Sequence, residues 1–162
     1  MKGKVMLLIV AGALIVVAAA SAAVIRGTNG PDTINGTGDG DLIYARGGND
    51  NVRSHGGNDV VYAGQGSDVV RSGPDNDVIY AGDGNDVTWP GGGADVQYGG
   101  PGNDVLHALA NDNQRDVLNC GSGYDVAEVI RNDPATFRGC EQIIRLSPEE
   151  AAAKAAANDD NG

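Results

Sequence analysis

An aspartate recurs every nine residues, without a gap, at Asp32, Asp41, Asp50, Asp59, Asp68, Asp77, Asp86, Asp95 and Asp104. A short fixed period of this kind means an internal repeat, so the chain is built by stacking small units. Two positions before most of these aspartates stands a glycine: Gly30, Gly48, Gly57, Gly66, Gly84, Gly93 or Gly102, with Asp39 and Asp75 as the departures. Two positions after them stand Ile34, Ile43, Val52, Val61, Val70, Ile79, Thr88, Gln97 and Leu106, mostly aliphatic.

Each unit has a simple physical reading. Its glycine-rich half must turn, because glycine alone adopts positive φ without steric cost. The remaining residues, such as Val78-Ile79-Tyr80, are β-branched or aromatic and predict a three-residue strand whose middle residue points inward. One aliphatic side chain per unit cannot form a core by itself, but stacked units can bury it in a continuous seam. Two units then make a flattened coil of eighteen residues, with two parallel sheets facing each other. The expected fold is an all-β parallel β-roll.

The chain is poor in bulky core formers, with one Phe and one Trp, while 26 of its 162 residues are glycine. That is more than double the average usage of roughly 7%. Its charge is -11, from 11 basic and 22 acidic residues. Nucleic acid and anionic membrane are therefore excluded as natural partners, since both need a basic surface. Cations are the expected partners. Hard carboxylate oxygens without a matching set of His or thiolate ligands suit Ca²⁺, and suit Mg²⁺ less because it demands a smaller, rigid octahedron.

The phrase Gly-Gly-x-Gly-x-Asp-x-aliphatic-x is a nonapeptide that binds Ca²⁺. Through Ala63-Gly64-Gln65-Gly66-Ser67-Asp68-Val69-Val70 and Ala81-Gly82-Asp83-Gly84-Asn85-Asp86, the chain resembles the RTX, or haemolysin-type, calcium-binding β-roll family. The resemblance spans residues 27 to about 107. It implies that each Ca²⁺ lies between stacked turns and bridges aspartates eighteen residues apart, held also by backbone carbonyls around Gly48, Gly57, Gly64, Gly66, Gly82, Gly84, Gly93 and Gly102. One column would hold Asp32, Asp50, Asp68, Asp86 and Asp104, and the other Asp41, Asp59, Asp77 and Asp95. Their gaps would accept up to seven ions.

The departures carry expectations of their own. Asp39 and Asp75 should adopt positive φ with some strain. Gln97 needs a hydrogen-bond partner if it points inward. Pro31, Pro74, Pro90 and Pro101 should fall in turns, and His55 and His107 should be solvated. The coil holding Thr88 and Gln97, together with the first coil, is expected to be the weakest.

The eighteen-residue period also sorts the outward residues. One face carries Tyr44, Tyr62, Tyr80 and Tyr98, flanked by Leu42, Val60, Val78 and Val96; the other carries Arg53, Arg71, Trp89 and His107. The tyrosine ladder either stacks to stabilise neighbouring coils or forms an apolar interaction surface for a polysaccharide, a cell-envelope component or a protein. Ice binding through flat threonine ladders is disfavoured, since Thr33 is the one outward threonine among these pairs.

The ends differ from the middle. Residues 1–22 read as a signal peptide: Lys2 and Lys4, an apolar run, then small residues that allow cleavage after Ala20, Ala22 or Ala23. An uncleaved N-terminal membrane anchor is the alternative. Residues 27–110 form the calcium-binding roll. Residues 111–146 follow as degenerate repeats and a cap, after three residues inserted around Asn111-Asp112-Asn113. In an exported chain, Cys120 and Cys140 are expected to form a disulfide, which closes a loop worth about 3 kcal/mol in the chain-entropy account. Residues 147–162 are a short helix or a disordered tail, with Ser147 as cap and Pro148 in the first position.

No nucleophile stands with a base, and no phosphate loop occurs, so an enzyme is not expected. The sequence points to a secreted, non-enzymatic calcium-binding β-roll whose folding is coupled to Ca²⁺, acting as a structural or adhesive module. The alternative is an accessory subunit of a separate secreted enzyme or envelope protein, docking through the tyrosine face.

Overall fold

Short strands with one inward side chain gain stability only by pairing with copies of themselves, and the computed structural model, which describes residues 6–8 and 22–159, follows that logic. From Val24 onward the chain winds as a parallel β-solenoid, successive strands alternating between two sheets. The eight-stranded sheet runs β1 (Met6–Leu8), β2 (Val24–Arg26), β4 (Leu42–Gly47), β6 (Val60–Gln65), β8 (Val78–Asp83), β10 (Val96–Pro101), β12 (Val117–Ser122) and β14 (Thr136–Arg138). The seven-stranded sheet runs β3 (Thr33–Asn35), β5 (Asn51–Arg53), β7 (Val69–Pro74), β9 (Val87–Gly92), β11 (Val105–Ala108), β13 (Val126–Ile130) and β15 (Gln142–Leu146). A helix, α1 (Pro148–Asp159), ends the described chain.

Register follows the period. Val60 pairs with Val78, Val61 with Ile79 and Tyr62 with Tyr80, eighteen residues on. Beyond the repeat the spacing becomes twenty-one, Val96 pairing with Val117 and Val105 with Val126. The three extra residues are extruded near Asn113, which takes φ +58. Inserted Asp112 is put to use, accepting the Gly93 amide at 2.8 Å.

The central strands are longer than the three residues expected. After Tyr62↔Tyr80 the ladder skips one position and resumes at Gly64↔Gly82 and Gln65↔Asp83, so the glycine corner itself pairs from coil to coil. The skipped position points inward and is small: Ala45, Ala63 and Ala81, with Ser54 and Ser72 in the other sheet, all fully buried. Each coil thus buries two residues per strand, one aliphatic and one small. Pro90 occupies this position in β9 rather than a turn. At the equivalent position Ser54 donates its N–H to the Arg71 carbonyl of the next coil. Pro90 has no N–H to give, so the β9–β11 ladder ends at Thr88↔Leu106, and the His107 carbonyl accepts from Gln97 Nε2 instead.

The apolar interior divides into two clusters, one from Ala23 to Ile79 and one around Leu106, Leu118, Ala127 and Val129. Thr88 and Gln97 lie between them. Gln97 has the partners it requires: the Thr88 hydroxyl donates to its Oε1, and its Nε2 donates to the His107 carbonyl at 2.7 Å.

The C-terminal elements continue the two sheets and close them. Cys120 and Cys140 form the expected disulfide, with Cα atoms 5.2 Å apart, a normal separation for that bond. Ser147 and Glu150 make a reciprocal capping box, the Glu150 amide donating to Ser147 Oγ at 3.2 Å and the Ser147 amide to Glu150 Oε2 at 2.7 Å. A twelve-residue helix is marginal alone, so tertiary contact must hold α1. Ala151 is fully buried, and Lys154 Nζ donates to Glu128 Oε1 of β13 at 2.6 Å.

That docking corrects the reading of His107. It is buried rather than solvated, stacked on Trp89 with ring centroids 3.5 Å apart. Its Nδ1 contacts the Thr88 carbonyl at 2.9 Å and its Nε2 lies 3.3 Å from Glu128 Oε2. The neighbouring coil and α1 supply what the strand position by itself could not reveal. The expected signal peptide lies outside the described residues except for Ala22 and for Met6–Leu8, which pair in parallel with Val24–Arg26.

Candidate calcium-binding columns

Each repeat aspartate sits at the residue before a strand, where the turn ends, and its neighbours eighteen residues away are the same residue in adjacent coils. The expected two columns therefore form, and they are dry: Asp32, Asp41, Asp50, Asp59, Asp68, Asp77, Asp86, Asp95 and Asp104 are at most 5% exposed. Along the first column the amides of Asp32, Asp50 and Asp68 each donate to Oδ1 of the next aspartate at 2.8 Å, and that of Asp86 does so at 2.9 Å. Along the second, Asp41, Asp59 and Asp77 do the same at 2.6 to 2.8 Å.

The sequence reading stopped one coil short. The Asp104 amide donates to Asp125 Oδ1 at 2.8 Å and the Asp95 amide to Asp116 Oδ1 at 2.9 Å, so the columns run on past the insertion. The first ends at Glu141, whose Oε2 accepts the Asp125 amide at 2.8 Å. Asp116 and Asp125 carried a findable signal, since each precedes Val-Leu or Val-Ala as the repeat aspartates precede their strands; Glu141 did not.

From Asp41 onward, Oδ1 of each carboxylate is thus used by the coil before it, while Asp32 Oδ1 is buried without a partner. Beyond Asp41 the other oxygen is mostly unused. Oδ2 of Asp50, Asp59, Asp68, Asp77, Asp86, Asp95, Asp104 and Asp125 is buried without a protein hydrogen-bond partner. A buried acceptor without a partner costs about 1–3 kcal/mol, and more when charged. Accordingly, burial first and neighbouring carboxylates second push Asp77 up to about 8 and Asp86 up to about 7, against the lowering effect of the amide each accepts. Burial likewise raises Asp50, Asp59, Asp95 and Asp104 to about 6 and Asp116 to about 7.

The turns add oxygens of a second kind. Gly48, Gly57, Gly64, Gly66, Gly82, Gly84, Gly93 and Gly102 all have φ between +95 and +148. Their carbonyls stack closely enough to forbid a side chain: a Cβ on Gly66 would lie 2.0 Å from Gly48 O, and one on Gly84 1.9 Å from Gly66 O. Among the described residues no group of three or more His, Cys, Asp or Glu side chains gathers in one place. A cation here must therefore draw on both paired carboxylates and backbone carbonyls, the hard-oxygen set that suits Ca²⁺. Aspartate oxygens that lack a partner fit such an ion.

The first turns are built differently. Thr28 donates to Asp32 Oδ2 from its amide at 2.6 Å and its hydroxyl at 3.0 Å, and Thr37 donates to Asp41 from its amide to Oδ2 at 2.6 Å and from its hydroxyl to Oδ1 at 3.0 Å. Asp39 accordingly sits in a threonine turn, its amide bonded to Thr37 Oγ1 at 3.2 Å, and does not adopt the positive φ expected. Asp75 does, at +83.

The tyrosine ladder stacks as a column, with centroids 5.1, 4.7 and 4.8 Å apart from Tyr44 to Tyr98 and planes within 7°. The Arg26 guanidinium covers the first ring at 5.3 Å. Ring faces are spent on one another, and edges and hydroxyls face outward.

In comparison with known proteins, the model of the RTX calcium-binding nonapeptide repeat (4 copies) matches residues 26–61, 62–97 and 89–127. No curated protein and no solved structure matches the chain.

Proposed function

This chain belongs to the RTX calcium-binding nonapeptide-repeat family, and from that premise we propose that it is a secreted, non-enzymatic β-roll whose folding is coupled to Ca²⁺. Calcium binding by a structural repeat is the family's property; the residues, coupling and setting are our reading. The ions lie between successive turns, held by Asp32, Asp50, Asp68, Asp86 and Asp104 in one column and Asp41, Asp59, Asp77 and Asp95 in the other, together with turn carbonyls. Asp116 and Asp125 extend both columns and add a gap to each.

The observation that carries this is the row of buried Oδ2 atoms without protein partners. Bound Ca²⁺ supplies positive charge between stacked carboxylates. The protein's own part is to aim Oδ1 at the preceding coil, hold Oδ2 away from water, and bring carbonyls together by positive-φ glycines. Without the ion, like charges meet in a dry column and only a thin apolar seam offsets the ordering entropy. Thr28 and Thr37 donate to Asp32 and Asp41 within their own turns, but Asp32 Oδ1 keeps no partner; Asp41, with both oxygens bonded, needs the metal least.

Calorimetric Ca²⁺ titration with circular dichroism in parallel tests this. We expect β signal to rise with binding at roughly millimolar Ca²⁺, the range of extracellular sites, and to be lost with chelator. Identical β content under both conditions refutes the coupling.

A second reading makes the chain an accessory subunit that docks through the tyrosine face. It is favoured by one observation: Tyr62, Tyr80 and Tyr98 remain 36–38% exposed. Replacing Tyr62 and Tyr80 by Ser should abolish co-purification of such a partner. No helix among the described residues is long and apolar enough to cross a membrane.

A further inference from the structure

On the outer face of the seven-stranded sheet, away from the aspartate columns, a cavity of about 240 Å³ opens between the strands and α1. Trp89 and Pro90 of β9, Leu109 and Ala110 of the connection after β11, and Ala155 of α1 supply its apolar wall. These residues come from three places that share no repeat position: a strand, the segment that interrupts the period, and the terminal helix. The Lys154–Glu128 ion pair fixes α1 against β13, and Ala155, the next residue, reaches the cavity.

We propose that this cavity is a binding site for a small uncharged apolar ring. The polar side chains at its border are already committed to other groups. Arg71 donates from Nη1 to Asn51 Oδ1. His107 turns Nδ1 to the Thr88 carbonyl and Nε2 to the Glu128 carboxylate, and Glu128 also receives Lys154. Gly73 and Gly91 pair with each other across the sheet ladder. A charged or hydroxylated occupant would surrender its water without gaining a partner, a cost that an apolar one does not meet.

Size narrows the class further. An apolar cavity of roughly 150 Å³ lined by aliphatic and aromatic side chains admits benzene, and drug-sized ligands occupy roughly 300–1,000 Å³. At about 240 Å³ this cavity lies between those limits and suits one substituted ring. A rigid ring also gives up less conformational freedom on binding than an alkyl chain of equal area. The site requires a folded roll and a docked α1 but draws on no residue of the aspartate columns, so it stands apart from the function proposed above.

Trp89 is the only tryptophan in the chain, so its fluorescence reports directly on the cavity. Toluene titrated into the folded, Ca²⁺-loaded full chain should give a saturable change with a dissociation constant of roughly 0.1–1 mM, the range for about seven heavy atoms. Benzoate, the same ring carrying a charge, should bind at least about tenfold more weakly. N-acetyltryptophanamide, an indole with no cavity around it, should show no saturation. Ala155→Phe should fill the cavity and abolish binding while far-UV dichroism and the Ca²⁺ midpoint stay unchanged. Ala110→Phe, on a different element, serves if the first substitution disturbs α1. The proposal is overturned if the Trp89 signal changes linearly with toluene as the free indole does, if benzoate binds as well as toluene, or if a filled and folded variant still binds.

Discussion

Replacing Asp86 by Asn should change stability in opposite directions with and without calcium. Asp86 accepts the Asp68 amide on Oδ1 at 2.8 Å, and its Oδ2 is buried without a protein partner. Asparagine keeps the Oδ1 acceptor and removes the charge. Burial raises the Asp86 carboxyl to about 7 from 3.8, about 3 pH units, or ~4 kcal/mol against the ionised folded state. The turn lies at the solvent edge of the roll, and screening reduces this by about half, to ~2 kcal/mol. In chelator at about pH 7.5, Asp86→Asn should therefore stabilise the roll by ~2 kcal/mol.

With Ca²⁺ the balance reverses, because Asp86 borders two gaps in its column. Each site filled at about a hundred times its dissociation constant contributes ~2.7 kcal/mol. Losing both outweighs the relief of charge and leaves the variant ~3 kcal/mol less stable than the parent. Urea melts followed by circular dichroism measure the calcium-loaded state, and osmolyte-induced folding measures the metal-free one. At about pH 3.5 the metal-free gain should vanish, as the carboxyl is then protonated in both states. If Asp86→Asn destabilises the chain equally with and without calcium, the buried carboxylate is no liability and the reasoning fails.

Because the column aspartates have raised folded values, their effect on the metal-free roll is most favourable below their unfolded value near 3.8 and is lost as pH rises through about 6 to 8. Acidification in chelator should therefore restore β signal in circular dichroism, and calcium affinity by calorimetry should weaken over the same range. Gln97→Val strands the Thr88 hydroxyl and the His107 carbonyl and should cost ~2–3 kcal/mol in a urea melt. Thr88→Val combined with it should recover at least ~1 kcal/mol, a coupling visible in a double-mutant cycle. Gly84→Ala meets φ +148 and the Gly66 carbonyl at 1.9 Å and should cost more than ~2 kcal/mol. Gly38→Ala, with nothing within 4 Å of its Cβ, should be neutral in the same calcium-loaded melt.

The sequence by itself determined whatever repeats. The eighteen-residue coil, the inward Ile43, Val61 and Ile79, the two aspartate columns and the tyrosine ladder all follow from a constant spacing, because in a solenoid each residue's neighbour is its own copy one coil away. The Cys120–Cys140 pairing was legible for a simpler reason, the chain having two cysteines. Tertiary structure alone decided what meets at no fixed spacing. Glu141 ends the column of Asp125 across sixteen residues, α1 folds back to reach Glu128 across twenty-six, and Trp89, Leu109 and Ala155 come together around one cavity. A periodic sequence specifies the contacts its period repeats; contacts made once, between a coil and a segment that breaks the period, depend on where the finished roll leaves an uncovered face.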